Sequence, residues 1–366
     1  MFSLIKASAR SQARRATLAT RHGKFPTPFF MPIATKGAVK TVGTDDLEKL
    51  GASIILSNTY HLMLRPGEQV LKAAGGLHGL MNWQKPILTD SGGYQVLSLA
   101  PTREVRDDGV LFRSHLDGSE HLLTPERSQE VQEAIGSDLA MILDDLVDYP
   151  VTRERVIESV TRTTKWAKRQ KNWFSKNASA GRELWGIVQG STSSEFRRRA
   201  VEEIVGIDFD GYAHGGLSVG EERPETYELV SMVNEILPAD KIRYFMGAGK
   251  PEEIVEYVRR GVDCFDCVLP TRNARHGTLY VWRHDDFSRP DFYEVYHAGN
   301  ESHRLEFSPV DKTCDCLLCA RYTRAYLRHL FSVEEPLALR LSTLHNICFY
   351  LRLMERIRGE IETGKL

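Results

Sequence analysis

Three aspartates sit in or at the ends of apolar runs, where an unpaired carboxylate is costly to bury. Asp266 lies in Cys264-Phe-Asp-Cys-Val-Leu-Pro-Thr-Arg-Asn-Ala-Arg275, Asp90 in Leu88-Thr-Asp-Ser-Gly-Gly-Tyr-Gln95, and Asp144 in Ile142-Leu-Asp-Asp-Leu146. A lone Asp in a strand is as often the cap of a neighbouring loop as a catalytic group. Three at the ends of separate runs, beside glycines that let backbone approach a ligand, point to a site. Two separated carboxylates suit chemistry at an anomeric carbon. One attacks C1′ and holds a covalent sugar ester, another moves protons, and a second nucleophile displaces the ester with retention. Asp144, the Gln189 amide and the backbone at Gly215-Gly216 supply donors and acceptors for a flat heterocycle, and Tyr94 or Met246 supply its covering faces.

A second set of residues reads as a metal site. Cys314-x-Cys316-x2-Cys319, with His345 on a following helical stretch, offers three thiolates and one imidazole, the donor set of a closed tetrahedral zinc site that is structural rather than catalytic. Cys264-x-x-Cys267 brackets Asp266 inside a strand and reads as a pair of buried free thiols. His214 reads as a core histidine. Lys250, Arg272 and Arg275 gather near the seventh and eighth apolar runs, with Arg321, Arg324 and Arg328 beyond the cysteines; together they fit phosphate contacts on RNA. Glycine-rich dinucleotide and Walker patterns are absent.

These residues need elements to hold them. Eight short apolar runs read as strands: 28–35, 53–60, 87–93, 139–146, 184–190, 212–217, 242–249 and 264–270. Helical stretches at 44–50, 66–74, 124–134, 151–176, 193–205, 224–236 and 251–260 lie between most of them. Thr124-Pro-Glu has a capping hydroxyl, a first-turn proline and an acid at the positive helix end. The rhythm predicts an α/β fold, a (β/α)8 TIM barrel, with an open doubly wound sheet as the alternative. Residues 110–123 read as an inserted β-hairpin turning at Asp117-Gly118. Pro270 is expected to end the eighth strand and release Arg272 and Arg275 into a loop. The change of pattern after Arg275 divides the chain into a barrel, 1–275, with a basic N-terminal strand region, and a zinc-binding helical subdomain with closing C-terminal helices, 276–366.

The 366 residues, 42% hydrophobic and 27% charged with a formal net charge of -1, describe an ordinary globular chain. Residues 1–44 hold eight Lys or Arg and no acid, which run straight into an apolar strand and so read as a folded basic edge rather than a transit peptide. No apolar run approaches the roughly 20 residues of a membrane span. Six cysteines, three of them crowded together, argue for a metal in a reducing compartment rather than for disulfides.

Ser57-Asn-Thr-Tyr-His-Leu, Thr89-Asp-Ser-Gly-Gly-Tyr-Gln, Gly186-Ile-Val-Gln-Gly, Gly215-Gly-Leu-Ser-Val-Gly-Glu221, Tyr244-Phe-Met-Gly-Ala-Gly-Lys250, Phe265-Asp-Cys-Val-Leu-Pro-Thr-Arg272, the cysteine cluster and His345-Asn stand in one order along the chain. In them the chain resembles, from about residue 12 to 362, the bacterial-type tRNA-guanine transglycosylases, the queuine tRNA-ribosyltransferase family. The resemblance implies a (β/α)8 barrel with a zinc subdomain, a cytoplasmic homodimer, and exchange of guanine at the wobble position of tRNAs with GUN anticodons for a 7-deazaguanine. It implies Asp266 as nucleophile and Asp90 as the carboxylate that moves protons. Asp144, Gln189, Gly216 and Leu217 fall on base-recognition positions, with Ser91 and Gly247 beside them, and Tyr94 and Met246 on the faces that sandwich the base. Lys250, Arg272 and Arg275 fall on anticodon contacts, and Cys314, Cys316, Cys319 and His345 on the zinc ligands. Val219 is the bacterial choice and favours 7-aminomethyl-7-deazaguanine (preQ1); Leu146 departs toward members that salvage queuine, and His214 replaces a small apolar residue. Two rivals stand beside this reading: a non-catalytic tRNA-binding partner subunit, which retention of Asp90 and Asp266 disfavours, and a metal-dependent barrel hydrolase, whose first-strand His-x-His is missing.

Overall fold

In a computed structural model of the chain, residues 1–100, 102–287, 289 and 291–366 are described. Eight short runs become parallel strands of one sheet: β1 (Phe29–Met31), β2 (Ile55–Ser57), β3 (Ile87–Thr89), β4 (Leu139–Met141), β5 (Glu183–Val188), β6 (Gly211–His214), β7 (Ile242–Phe245) and β8 (Cys264–Asp266). Their order in the sheet is β1-β8-β7-β6-β5-β4-β3-β2. The two ends meet just past β1: Leu56 N donates to Pro32 O at 3.0 Å and Ala34 N to Leu56 O at 2.6 Å. The sheet is therefore a closed α/β barrel and not the open doubly wound alternative. Side chains such as Leu56, Leu88, Ala140, Ile187, Tyr212, Tyr244 and Cys264 are buried in its core.

The intervening helices start where the sequence supplies caps. Thr124 Oγ1 accepts from Arg127 N at 3.1 Å ahead of Pro125–Ile135, and Thr152 and Ser193 hydroxyls do the same for Arg153–Asn177 and Ser194–Val205. Arg223–Ile236 and Pro251–Arg259 each carry a proline in the first turn.

The strands are shorter than the apolar runs suggest. Thr59–Leu64 and Gly93–Leu99 are helices, although 53–60 and 87–93 read as strand throughout. β2 and β3 end on Ser57 and Thr89, and the polar Asn58 and Asp90 that follow bond to each other through their side chains. Pro270 is likewise not a release into loop. It occupies the first turn of the helix Leu269–Arg275, where its missing N–H costs nothing, so Arg272 and Arg275 are fixed on a helix.

The insertion after β3 is present with one more strand than expected. Arg103–Val105 pairs with Val110–Arg113, which pairs antiparallel with Glu120–Leu123. The turn passes Asp117, whose carboxylate accepts from Ser119 N at 3.2 Å, and Gly118, whose φ of +75° suits glycine. The basic N-terminal region folds as an antiparallel sheet, Phe2–Ala7, Arg14–Thr20 and Gly23–Thr27, that closes the N-terminal end of the barrel. There Arg14 makes two bonds to the buried Asp263 carboxylate, at 2.9 and 2.5 Å.

Beyond β8, Thr278–Trp282 pairs antiparallel with Tyr293–His297. Helices Leu317–Arg321, Arg324–Ser332 and Pro336–Thr363 follow. The last of these is buried along one side against the barrel: Phe349, Tyr350, Leu353 and Ile357 share a core with Phe30, Phe245 and Phe265.

Candidate active site

Parallel closure puts the C-terminal ends of all eight strands on one face. Asp90 follows β3, Asp144 lies three residues past β4, Gln189 follows β5, Gly215-Gly216-Leu217 follow β6, Met246-Gly247 follow β7, and Asp266 ends β8. The carboxylates read from the sequence therefore share one mouth, and none lies at the opposite end.

Asp266 Oδ1 accepts from the buried Tyr244 hydroxyl at 2.5 Å and from Gly247 N at 2.9 Å. Burial raises its pKa above the ordinary carboxylate value, and these two donors oppose that rise. Its Oδ2 takes no hydrogen bond from another residue among the described residues. Asp90 Oδ1 accepts from Thr59 N at 2.9 Å and Gly92 N at 3.1 Å, and Oδ2 from Asn58 Nδ2. Burial pushes Asp90 up to about 6, the bonds from Asn58, Thr59 and Gly92 restrain the rise, and the Asp266 charge adds to it. Asp144 is also pushed up to about 6 by burial; its one side-chain bond is from Gln189 Nε2 at 2.5 Å, and the charges of Asp145 and Asp90 add to the rise. Asp266 thus bears on Asp90, and Asp90 on Asp144, in a partly desolvated mouth where protons are easily moved.

The neighbouring Asp145 has the opposite role. It is buried and held by Arg155 at 2.8 and 2.5 Å and by Arg162 at 2.5 Å. It ties the turn to helix Arg153–Asn177 and leaves Asp144 free for the mouth.

Gln189 lies flat across the glycine pair. A Cβ at Gly216 would fall 2.4 Å from Gln189 Oε1, and Gly216 has φ +62°. Arg197 holds the same turn from behind through Gly215 O at 2.8 Å. Gln189 Oε1 is buried with no protein donor among the described residues. Ser91 and Leu217 are buried, Met246 is half-buried against the core, Gly247 is exposed, and the Tyr94 ring is 59% exposed. His214 faces away from the mouth as a core residue: Nε2 meets Asn234 Oδ1 at 3.0 Å, and burial lowers its pKa to about 3, so it is neutral. Cys264 and Cys267 are buried and unpaired, as expected, and their sulfurs face the carbonyls of Arg243 and Gly249 at 3.8 Å.

Lys250 and Arg272 are exposed and Arg275 is half-buried, all next to the mouth. The sequence reading missed two further cations, Lys36 and Lys40, in the loop after β1, the neighbour of β8. Loss of hydration and then the charges of Arg275, Lys36 and Arg272 loosen the Lys40 proton, so the four form one positive rim. No carboxylate pairs with any of them among the described residues. Asn58, the partner of Asp90, was also missed. Asn58 directly follows the end of β2, whereas Lys36 and Lys40 lie five and nine residues beyond β1 and carry no such mark.

The sulfurs of Cys314, Cys316 and Cys319 and a ring nitrogen of His345 all lie within 4.8 Å of one another. His345 Nε2 faces Tyr280 O at 2.8 Å. A carbonyl only accepts, so Nε2 carries the proton and Nδ1 presents its lone pair to Cys316 at 3.6 Å and Cys319 at 3.3 Å. This group can bind a metal ion. A second cluster, His22, His78 and Asp138, lies on the opposite, N-terminal face. There Asp138 already accepts from Arg21, His22 and Ile87 N, and Arg21 supplies a permanent positive charge, so the cluster fastens the closing sheet and is a poor cation site.

A sequence model of the queuine tRNA-ribosyltransferases matches residues 9–366. Queuine tRNA-ribosyltransferases of Caldanaerobacter subterraneus subsp. tengcongensis and Halothermothrix orenii are 49% and 48% identical over 365 residues, covering 100% of this chain and 94% of theirs. That of Thioalkalivibrio sulfidiphilus is 49% identical over 354 residues, covering 97% of this chain and 92% of its own. The chain belongs to the queuine tRNA-ribosyltransferase family.

Proposed function

We propose that this pentosyltransferase exchanges guanine at the wobble position of GUN tRNAs for preQ1 through a covalent ribosyl-aspartate. The observation that carries the reading is the grouping of Asp266, Asp90 and Asp144 at one barrel mouth, in a chain of this family. Asp266 has an oxygen that takes no bond from another residue among the described residues. It attacks C1′ as guanine leaves with the bonding electrons and takes a proton from solvent water. Asp90 then removes the N9 proton of the incoming base, which attacks C1′ and expels Asp266. Two inversions give net retention. Asp144 and Gln189 meet the base edge, with the orphan Gln189 Oε1 receiving a donor from it. Ser91, Gly216, Leu217 and Gly247 line the pocket, and Tyr94 and Met246 cover the faces of the ring. Lys36, Lys40, Lys250, Arg272 and Arg275 hold anticodon phosphates. The metal cluster takes zinc, whose contribution when bound is structural, through Cys314, Cys316, Cys319 and His345.

Val219, 38% exposed on the β6 loop, favours preQ1 over the bulkier queuine; exchange assays with the two bases side by side separate these substrates. A homodimer is the proposed assembly. The covalent step is tested by denaturing enzyme mixed with tRNA and a slow incoming base. Wild-type chain retains RNA through denaturation, while Asp266→Asn retains none and exchanges labelled guanine at least roughly a thousandfold more slowly. Persistence of the adduct in Asp266→Asn would move the nucleophile to another residue.

A further inference from the structure

The metal cluster has a fifth soft donor beside it. Cys348 lies one helical turn beyond His345 on Pro336–Thr363, and its Sγ is 3.8 Å from Cys314 Sγ. It stands outside the group of four mutually adjacent donors. A tetrahedral zinc site with three thiolates and an imidazole is complete, so Cys348 is a surplus thiol in contact with one ligand. The two differ in access. Cys348 is 5% exposed, whereas Cys314 is half-buried at the edge of the cluster. Arg352, a turn further along, bonds Asp315 at 2.5 Å and Thr313 O at 3.0 Å, so a guanidinium sits over the loop that carries Cys314. A reachable sulfur in contact with a buried thiol behind it is the layout of an attacking and a resolving cysteine.

We infer that Cys314 and Cys348 are an oxidisable pair that unloads the metal site, an inference that rests on the zinc reading above. The oxidant is a peroxide. The Cys314 sulfur attacks the O–O bond, takes one oxygen as a sulfenic acid, and the other leaves as water. The Cys348 sulfur then attacks the sulfenic sulfur: an S–S bond forms, the S–O bond breaks, and the hydroxide departs with the Cys348 proton as a second water. Two thiols and one hydrogen peroxide give one disulfide and two waters. Closing a 3.8 Å contact to a bonded pair draws Cys314 off the metal, and the remaining three donors hold zinc far less tightly. A thiol reductant with added zinc reverses the change.

The experiment uses the full-length chain, assayed first for bound zinc, then treated with hydrogen peroxide in the presence of a chromogenic zinc chelator. Alkylated peptides are mapped by mass in parallel. Wild type is expected to release one zinc per chain with a Cys314–Cys348 peptide as the first disulfide. Cys348→Ala and Cys348→Ser are expected to bind zinc equally and to release it roughly tenfold more slowly. Release from both variants at the wild-type rate, or a first disulfide joining Cys314 to Cys316 or Cys319, overturns the pair. A wild-type chain purified without metal and unable to take up zinc overturns the zinc reading itself and the release with it.

Discussion

Adjacent aspartates in this barrel have opposite duties because of what each one faces. Asp145 meets two guanidinium groups, whereas Asp144 meets a single amide and the charge of Asp90. Asp90 and Asp144, both held near 6 against an ordinary 3.8, bind protons more tightly folded than unfolded. Their contribution to stability is therefore fully present below about 3.8 and is lost as pH rises through about 6. Asp144→Asn removes that loss while keeping an acceptor for Gln189. It is expected to melt higher than wild type at pH 8 and no higher at pH 4; equal melting points at pH 8 would mean that the charge costs the fold nothing. Activity runs the other way. The proposed exchange uses Asp90 ionised, so kcat/KM is expected to rise with an acid limb near 6 rather than near 3.8. Asn58 stabilises the ionised form through its bond to Asp90 Oδ2, and Asn58→Ala should carry that limb upward by about one unit. A pH profile unchanged by Asn58→Ala would remove Asn58 from any role in setting the Asp90 proton.

At the scale of elements, the rim depends on two neighbouring strands. The loop after β1 brings Lys36 and Lys40 beside Arg272 and Arg275 on the helix after β8, without a neutralising carboxylate among the described residues. Like charges so placed repel unless a polyanion joins them. Neutralising Lys40 or Arg272 should weaken tRNA binding and reduce the slope of log K against log salt by about 0.7 to 0.9 per site, with kcat unchanged at saturating tRNA. Binding measured across a salt titration decides this; an unaltered slope would take the residue off the phosphates. The barrel was legible because each buried strand is an apolar run with a polar residue or glycine at its end. Thr124 also announced its helix. The rim was less legible: Lys36 and Lys40 look like ordinary surface lysines until β1 closes against β8. Pro270 misled because a proline that ends a strand and a proline that opens a helix look the same in sequence. The bond from Asn58 to Asp90 spans 32 residues and comes from register, which local patterns do not carry.

Across the whole molecule, one helix joins the metal cluster to the mouth. On Pro336–Thr363, His345 faces the thiols and the next residue, Asn346, clamps the chain after β8. Its Nδ2 donates to Pro270 O and Thr278 O, both at 3.0 Å, and its Oδ1 accepts from Tyr280 N at 3.2 Å. Further along, the Tyr350 hydroxyl bonds Gly249 O, next to Lys250, and Arg358 Nη1 bonds Pro28 O at 2.8 Å, just ahead of β1. A metal held there would fix the register of a helix that holds the backbone under the cationic rim, while Asp90 takes its direct bonds from Asn58, Thr59 and Gly92, next to β2 and β3. Stripping the metal from the full-length chain is therefore expected to raise KM for tRNA by roughly tenfold, the worth of one or two of these bonds, with a smaller fall in kcat. Amides 270–282 should exchange hydrogen faster, while Thr59 and Gly92 keep their protection. Asn346→Ala should reproduce the KM effect with the metal still bound, because it cuts the same connection one residue beyond the ligand. If Asn346→Ala binds tRNA as wild type does, or if metal loss slows catalysis and leaves KM unchanged, the helix does not transmit the metal's order to the rim, and the cluster serves only the local fold.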